Sequence, residues 1–204
     1  MSTALRDQDA LDVSGLPTYA YGNRSLMWWG TLGMVLIEST VFALAIVTYF
    51  YLRERSYQWP PHGNPPALLY GTLNTLVLIA SLIPNHWTKR RAEQEDLRGV
   101  RIGLTVCAAF SVGFVIVRAF EFGALHTGWN DSAYGSIVYA LLILHTIHLV
   151  TDLIDSIVLT VLMFTGPLSG RRFVDVSENA FYWYFVVGSW ILIYATVYWA
   201  PRIP

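Results

Sequence analysis

The 204-residue chain has one cysteine, Cys107. A single thiol excludes an internal disulfide, a zinc ribbon and a cysteine-ligated iron–sulfur cluster. Its apolar setting points to an inert core thiol. Charge is also scarce: charged residues make up 13% of the chain, about half the roughly 25% of a soluble domain. The formal net charge of −1 leaves no polybasic surface for nucleic acid, and no basic–aromatic motif points to one. No segment alternates apolar and polar residues with period two, so barrel strands are excluded. There is no internal repeat and no low-complexity tract. The first 25 residues lack a basic n-region and carry Asp7, Asp9 and Asp12, so the first apolar run reads as a retained helix rather than a signal peptide.

What remains is apolar and aromatic. Hydrophobic residues are 54% of the chain and aromatic residues 15%, with eight tryptophans and a mean hydropathy of +0.45. A membrane protein follows. A bilayer-spanning helix needs about 20 mostly apolar residues, and five stretches provide them: 26–52, 67–87, 100–122, 133–165 and 180–200. The expected fold is an all-α integral membrane bundle of five transmembrane helices. A tail at 1–25 precedes a single domain at 26–204. The fourth stretch exceeds what a span needs and is expected to tilt or project. Prolines break the chain at 59–66 (WPPHGNPP). The charged segment 89–101 reads as a solvated helical extension or turn, and 166–172 as a turn.

Lys and Arg asymmetry gives an orientation. The tail, the second loop and the fourth loop carry two, five and two basic residues. The opposite side carries Arg53, Arg55 and Arg202. The N-terminus is therefore expected in the cytoplasm and the C-terminus outside.

Ionisable groups inside the spans are costly, so they usually face protein and find partners. Glu38 lies in the first span, Arg118 and Glu121 in the third, and His145, His148, Asp152 and Asp155 in the fourth. At 1.5 Å per residue, Glu38 and the two histidines overlap in depth. Glu38 with one histidine is one reading; a protonated Glu38 bonded to a hydroxyl or carbonyl is the other. Arg118 and Glu121 share a helix face, as an interfacial ion pair or as a contact for a lipid phosphate or a partner subunit. His145, His148, Asp152 and Asp155 form one helical stripe. It suits a metal site, a proton relay or a hydrogen-bonded interface. No other span supplies the Glu and Glu-x-x-His set of a di-iron bundle, nor an opposed axial ligand for haem. No metal site is therefore expected. Asp152 and Asp155 are expected near the cytoplasmic surface, in contact with water.

Several segments resemble subunit III of cytochrome c oxidase, in the haem–copper oxidase family. Trp59-Pro60-Pro61-His62-Gly63 is similar to that family's W-P-P-x-G turn. LNTLVLIAS at 73–81 resembles L-N-T-x-V-L-L-A-S, which includes Asn74. VRAFEF at 117–122 matches L-Q-x-x-E-Y with Glu121 on the glutamate, and Tyr134-Gly135-Ser136 matches Y-G-S. LHTIHLV at 144–150 resembles F-H-G-L-H-V, with His145 and His148 on both histidines. FYWYFVVGSW at 181–190 resembles W-Y-W-H-F-V-D-V-V-W. Glu38 and Phe42 fall on the S-E-x-x-x-F helix. The order is the family's and the coverage runs from Trp28 to Trp199. There are departures: Ile37 and Thr146 replace a serine and a glycine, and Tyr184 and Val187 replace a histidine and an aspartate. The chain also has five spans where the long form has seven, as in shorter bacterial versions.

The resemblance implies a subunit without redox centres. Haem and copper would lie in partner subunits; a dinuclear copper site needs two cysteines. It implies packing on oxidase subunit I and other oxidase subunits, bound phospholipid, support of proton uptake and protection of the core, in a bacterial inner membrane. Glu38, His145 and His148 would form a buried polar cluster. Arg118, Glu121, Trp59 and Asn74 would contact lipid or a neighbouring subunit. The rivals are an accessory subunit of a nitric oxide reductase, a proton-coupled transporter and a membrane metalloenzyme.

Overall fold

The computed structural model describes residues 19–61, 65–166 and 169–203. The tail at 1–18, and His62 and Gly63 of the proline-rich turn, lie outside the described residues. Five helices form the bundle: α1 (Leu26–Arg55), α2 (Leu68–Glu93), α3 (Leu97–Gly123), α4 (Ala133–Thr165) and α5 (Gly170–Tyr194). Each is long and apolar enough to cross a membrane. There is no strand among the described residues.

Local chemistry sets the helix ends. The Ser25 hydroxyl accepts from the Met27 amide at 3.1 Å and starts α1. The Asp96 carboxylate accepts from the Gly99 amide at 3.2 Å, and the Ser132 hydroxyl from the Gly135 amide at 3.1 Å. Each satisfies an amide that has no partner inside its helix. Between α2 and α3 the chain turns over Glu95, whose φ is 56°. Pro84 lies inside α2 and cannot donate to the helix ladder; the Thr88 hydroxyl caps its carbonyl at 2.7 Å.

The segment 89–101 combines a helical extension with a turn: it is the end of α2, a three-residue turn and the start of α3. One expectation needs correction: the fifth helix begins at Gly170 rather than 180, so Gly170–Arg172 is helix and not turn. The reason is amphipathicity. Phe173, Val174, Val176 and Ser177 are buried although Asp175 and Glu178 interrupt the apolar run. The helix then widens through a π turn at Ala195–Trp199 and tightens into a short 3-10 turn, Ala200–Arg202.

Short connections make α2–α3, α3–α4 and α4–α5 antiparallel neighbours, while α1 packs chiefly on α4 and α5. α5 is the inner helix, packed against α1, α2 and α4, and α3 closes on α2 and α4. α1 is the least enclosed. Glycine permits the closest approaches. A Cβ at Gly71 of α2 would lie 2.5 Å from the Tyr198 ring, and one at Gly103 of α3 would collide with Thr88. Small residues let membrane helices approach so closely.

Candidate functional site

Polar side chains gather at two places on either side of α4. The first is inside the bundle. Arg118 and Glu121 stand one turn apart on α3 and pair at 2.8 Å, each about 1% exposed. Asn74 of α2 donates to one Glu121 oxygen and Tyr198 donates to the other. The guanidinium lies 4.1 Å from the Trp190 ring centroid and 4.9 Å from that of Phe114. A cation against aromatic faces recovers part of its lost hydration.

His145 completes this set. Its Nε2 lies 3.0 Å from the Val186 carbonyl. A carbonyl only accepts, so Nε2 carries the hydrogen. Nδ1 is then the acceptor for the Arg118 guanidinium at 3.3 Å. Both ring nitrogens are occupied within the protein, which does not fit an axial ligand to haem or a copper ligand. The packing ties α2, α3, α4 and α5 together through one buried network.

The second place is the α1–α4–α5 face. Glu38 accepts from the Tyr182 hydroxyl at 2.9 Å. Its other oxygen is 3.5 Å from His148 Nε2. His148 Nδ1 lies 2.6 Å from the Leu144 carbonyl and donates to it, so Nε2 faces the carboxylate. Phe42, one turn along α1 from Glu38, packs on the His148 ring with centroids 5.0 Å apart. Unlike the inner network, this pair meets open space. A groove of about 610 Å³ runs between α1, α4 and α5, lined by Glu38, Asp155, Tyr182 and Glu178 among apolar groups such as Met34 and Val158. Chemically, the pair can hold one proton between a carboxylate and an imidazole at the edge of an apolar channel.

The sequence stripe is therefore two stripes. His145 and Asp152 face inward, His148 faces Glu38 of α1, and Asp155 faces the groove. The expected Glu38–His145–His148 cluster is divided: His148 faces Glu38, and His145 joins Arg118. Asp152 is not in contact with water at the surface. It is 3% exposed and accepts from Asn179 at 3.3 Å. Nor do Arg118, Glu121 and Asn74 form an outward surface; all three are interior, because a charged pair in a membrane bundle is cheapest where helices supply its hydrogen bonds. Trp59 is half-buried and stacks edge-on against Tyr49 and Tyr134, with centroids 5.2 and 5.0 Å away. Tyr184, where the family carries a histidine, hydrogen-bonds His86 Nδ1 at 2.9 Å, and Val187 is buried apolar core. Among the described residues, no three His, Cys, Asp or Glu side chains come close enough to hold a metal.

Tyr182, Tyr198 and Trp190 are functional neighbours that sequence reasoning missed. Their signal is the spacing of large aromatics along the last helix, which α5 turns inward.

The family model for cytochrome c oxidase subunit III matches residues 18–201. That span includes all five helices. The chain belongs to the cytochrome c oxidase subunit III family. It is similar to cytochrome c oxidase subunit 3 of Thermostichus vulcanus, 27% identical over 85% of this chain and 87% of the relative. For the Synechocystis protein of the same name the identity is 26%, over 87% of this chain and 77% of the relative. For the Drosophila yakuba protein it is 27%, over 91% and 72%. The chain is thus a multi-pass membrane protein and a subunit III of the haem–copper oxidase type, a role that implies association with other oxidase subunits. Within this family's frame, the LNT segment lies on α2, the VRAFEF segment on α3, and the two histidines on the two faces of α4.

Proposed function

We propose that this chain packs on subunit I of a terminal oxidase that reduces oxygen to water, in a bacterial inner membrane, with its N-terminus in the cytoplasm. It stabilises that core, holds phospholipid against its grooves and supports proton uptake. Haem and copper belong to the partner subunits; this chain contributes no step of electron transfer. The observation that carries the reading is the Glu38–His148–Tyr182 set opening on the α1–α4–α5 groove. A half-buried carboxylate needs a reason to persist in an apolar span, and a proton-holding pair beside a groove gives one.

The inner Arg118–Glu121–His145 network has a different task in this reading. It fixes four helices in one register so that the outer pair keeps its geometry. Two experiments on the intact complex test the proposal. Deleting the chain is expected to shorten turnover lifetime and slow proton uptake. Glu38→Gln is expected to assemble normally yet lose activity faster under sustained turnover. A deletion complex with unaltered lifetime, uptake and stability would refute the supporting role, and a Glu38→Gln complex of normal lifetime would refute the part given to Glu38.

A further inference from the structure

A small cavity of about 10 Å³ lies at the centre of the bundle, bounded by residues of α2, α3, α4 and α5. Its lining is polar for so apolar a chain: Asn85, Ser111, Asp152, Ser156 and Asn179 contribute, with Ser81 and Cys107 beside them. A volume of roughly 10–15 Å³ admits one water molecule, and buried waters typically make about three hydrogen bonds.

Most of these groups are already matched. Ser156 donates to Asn179 at 3.2 Å, Asn179 donates to one oxygen of Asp152 at 3.3 Å, and Trp183 donates to Ser81 at 2.9 Å. Asn85 spends its amide nitrogen on the Ala180 carbonyl at 2.9 Å. Three oxygens remain without a protein partner among the described residues: the Asn85 carbonyl, the Ser111 hydroxyl and the second Asp152 oxygen. All three residues are at least nine-tenths buried, at 6%, 2% and 3% exposure. They come from three different helices and line one cavity.

We infer that this cavity is a binding site for a single structural water, bridging Asn85, Ser111 and Asp152. The donor balance closes. Ser111 donates to the water oxygen, and the water donates one hydrogen to the Asn85 carbonyl and the other to Asp152. Donation then converges on Asp152, from Ser156 through Asn179 on one side and from Ser111 through the water on the other, so with Asn85 four helices are joined by side chains and one solvent molecule. An oxygen left unmatched in an apolar interior is costly, and three of them in one cavity make a dry site unfavourable. A metal ion fits less well: the site offers a single carboxylate.

The test is a high-resolution map of the chain in the complex with which it co-purifies. The expected result is one density peak about 2.7–3.2 Å from the Asn85, Ser111 and Asp152 oxygens. No peak, at a resolution that displays other buried waters of the same complex, would overturn the inference. So would a peak with the short ligand distances of a bound cation. Asp152→Asn keeps the size and an acceptor and is expected to retain the peak. Asp152→Leu fills the space with carbon and is expected to lose the peak and lower the melting temperature of the complex. An unchanged melting temperature in Asp152→Leu would contradict any contribution of the water to the helix packing.

Discussion

At the scale of single residues, the buried Arg118–Glu121 pair has the most to lose. Replacing one member leaves the other charge without its partner in a low-dielectric interior, at a cost of about 3–5 kcal/mol. Arg118→Leu is therefore expected to reduce assembly sharply, because Glu121 loses its ion-pair partner and retains only Asn74 and Tyr198. Glu121→Gln is expected to be milder, since an amide oxygen in the place of Oε2 still accepts from Arg118 and Asn74 and only the bond from Tyr198 is given up. Comparing the yield and melting temperature of the two variant complexes checks the order; equal losses would contradict it. A second residue-scale prediction concerns the chain just before α1. Tyr19 donates to Glu95 at 2.8 Å, and Tyr21 donates to the Ala92 carbonyl at 3.2 Å. The hydrogen bond to Glu95 holds the Tyr19 phenol above its ordinary value, and burial does so for Tyr21 with Glu95 adding to it. Both raised values mean that the contact is fully present below about pH 10, the ordinary tyrosine value, and is lost as pH rises through the higher folded values. In phenolate titrations, Tyr19→Phe and Tyr21→Phe are each expected to remove one late-ionising tyrosine; variants that remove only a tyrosine ionising at the ordinary value would contradict the anchor. The residues of this level were only half legible in the sequence. Spacing brought out His145 and His148, but three positions on a helix differ by about 60° in direction. That angle sends one ring to Arg118 and the other to Glu38, and only the neighbouring helices reveal it.

At the scale of helices, close approach is the controlling feature. α2 meets the end of the α5 segment at Gly71 and meets α3 at Gly103, and a methyl group at either would strike Tyr198 or Thr88. Overpacking of this kind costs about 1–3 kcal/mol. Gly71→Ala is expected to lower the melting temperature and to disturb the Tyr198–Glu121 bond. Gly33→Ala on α1 is the matched control, because nothing lies within 4 Å of its added methyl. Thermal unfolding of both variants in detergent checks the contrast, and equal effects would refute it. The five spans were legible because about 20 apolar residues in a row have few other uses. The true start of α5 was not. Hydropathy averages over a window, and the segment from Gly170 alternates buried Phe173, Val174 and Val176 with Arg171, Arg172 and Asp175. Its helical character depends on which side faces α2 and α4, which a linear average discards.

At the scale of the whole molecule, the fold is a layered answer to one constraint: every polar group inside a membrane must be matched by protein. The inner network pairs its two charges and joins four helices, with Arg118 Nε and the Asn74 carbonyl oxygen left without a hydrogen-bond partner. The outer pair is left at the rim of a groove, where exchange with another phase is possible. That division between a fixed interior and an accessible edge is consistent with the supporting role proposed for the chain. The positive-inside pattern adds a directional prediction: a protease site placed in the N-terminal tail is expected to be cut from the cytoplasmic face only, and cutting from the opposite face would reverse the orientation. The central claim is that the chain works within a terminal oxidase. The most direct measurement is purification of the intact complex through a tag on this chain, followed by identification of its largest subunit and assay of oxygen consumption. The account predicts a haem–copper oxidase core that consumes oxygen. A nitric oxide reductase core, or a chain that purifies alone and conducts protons in liposomes, would contradict it.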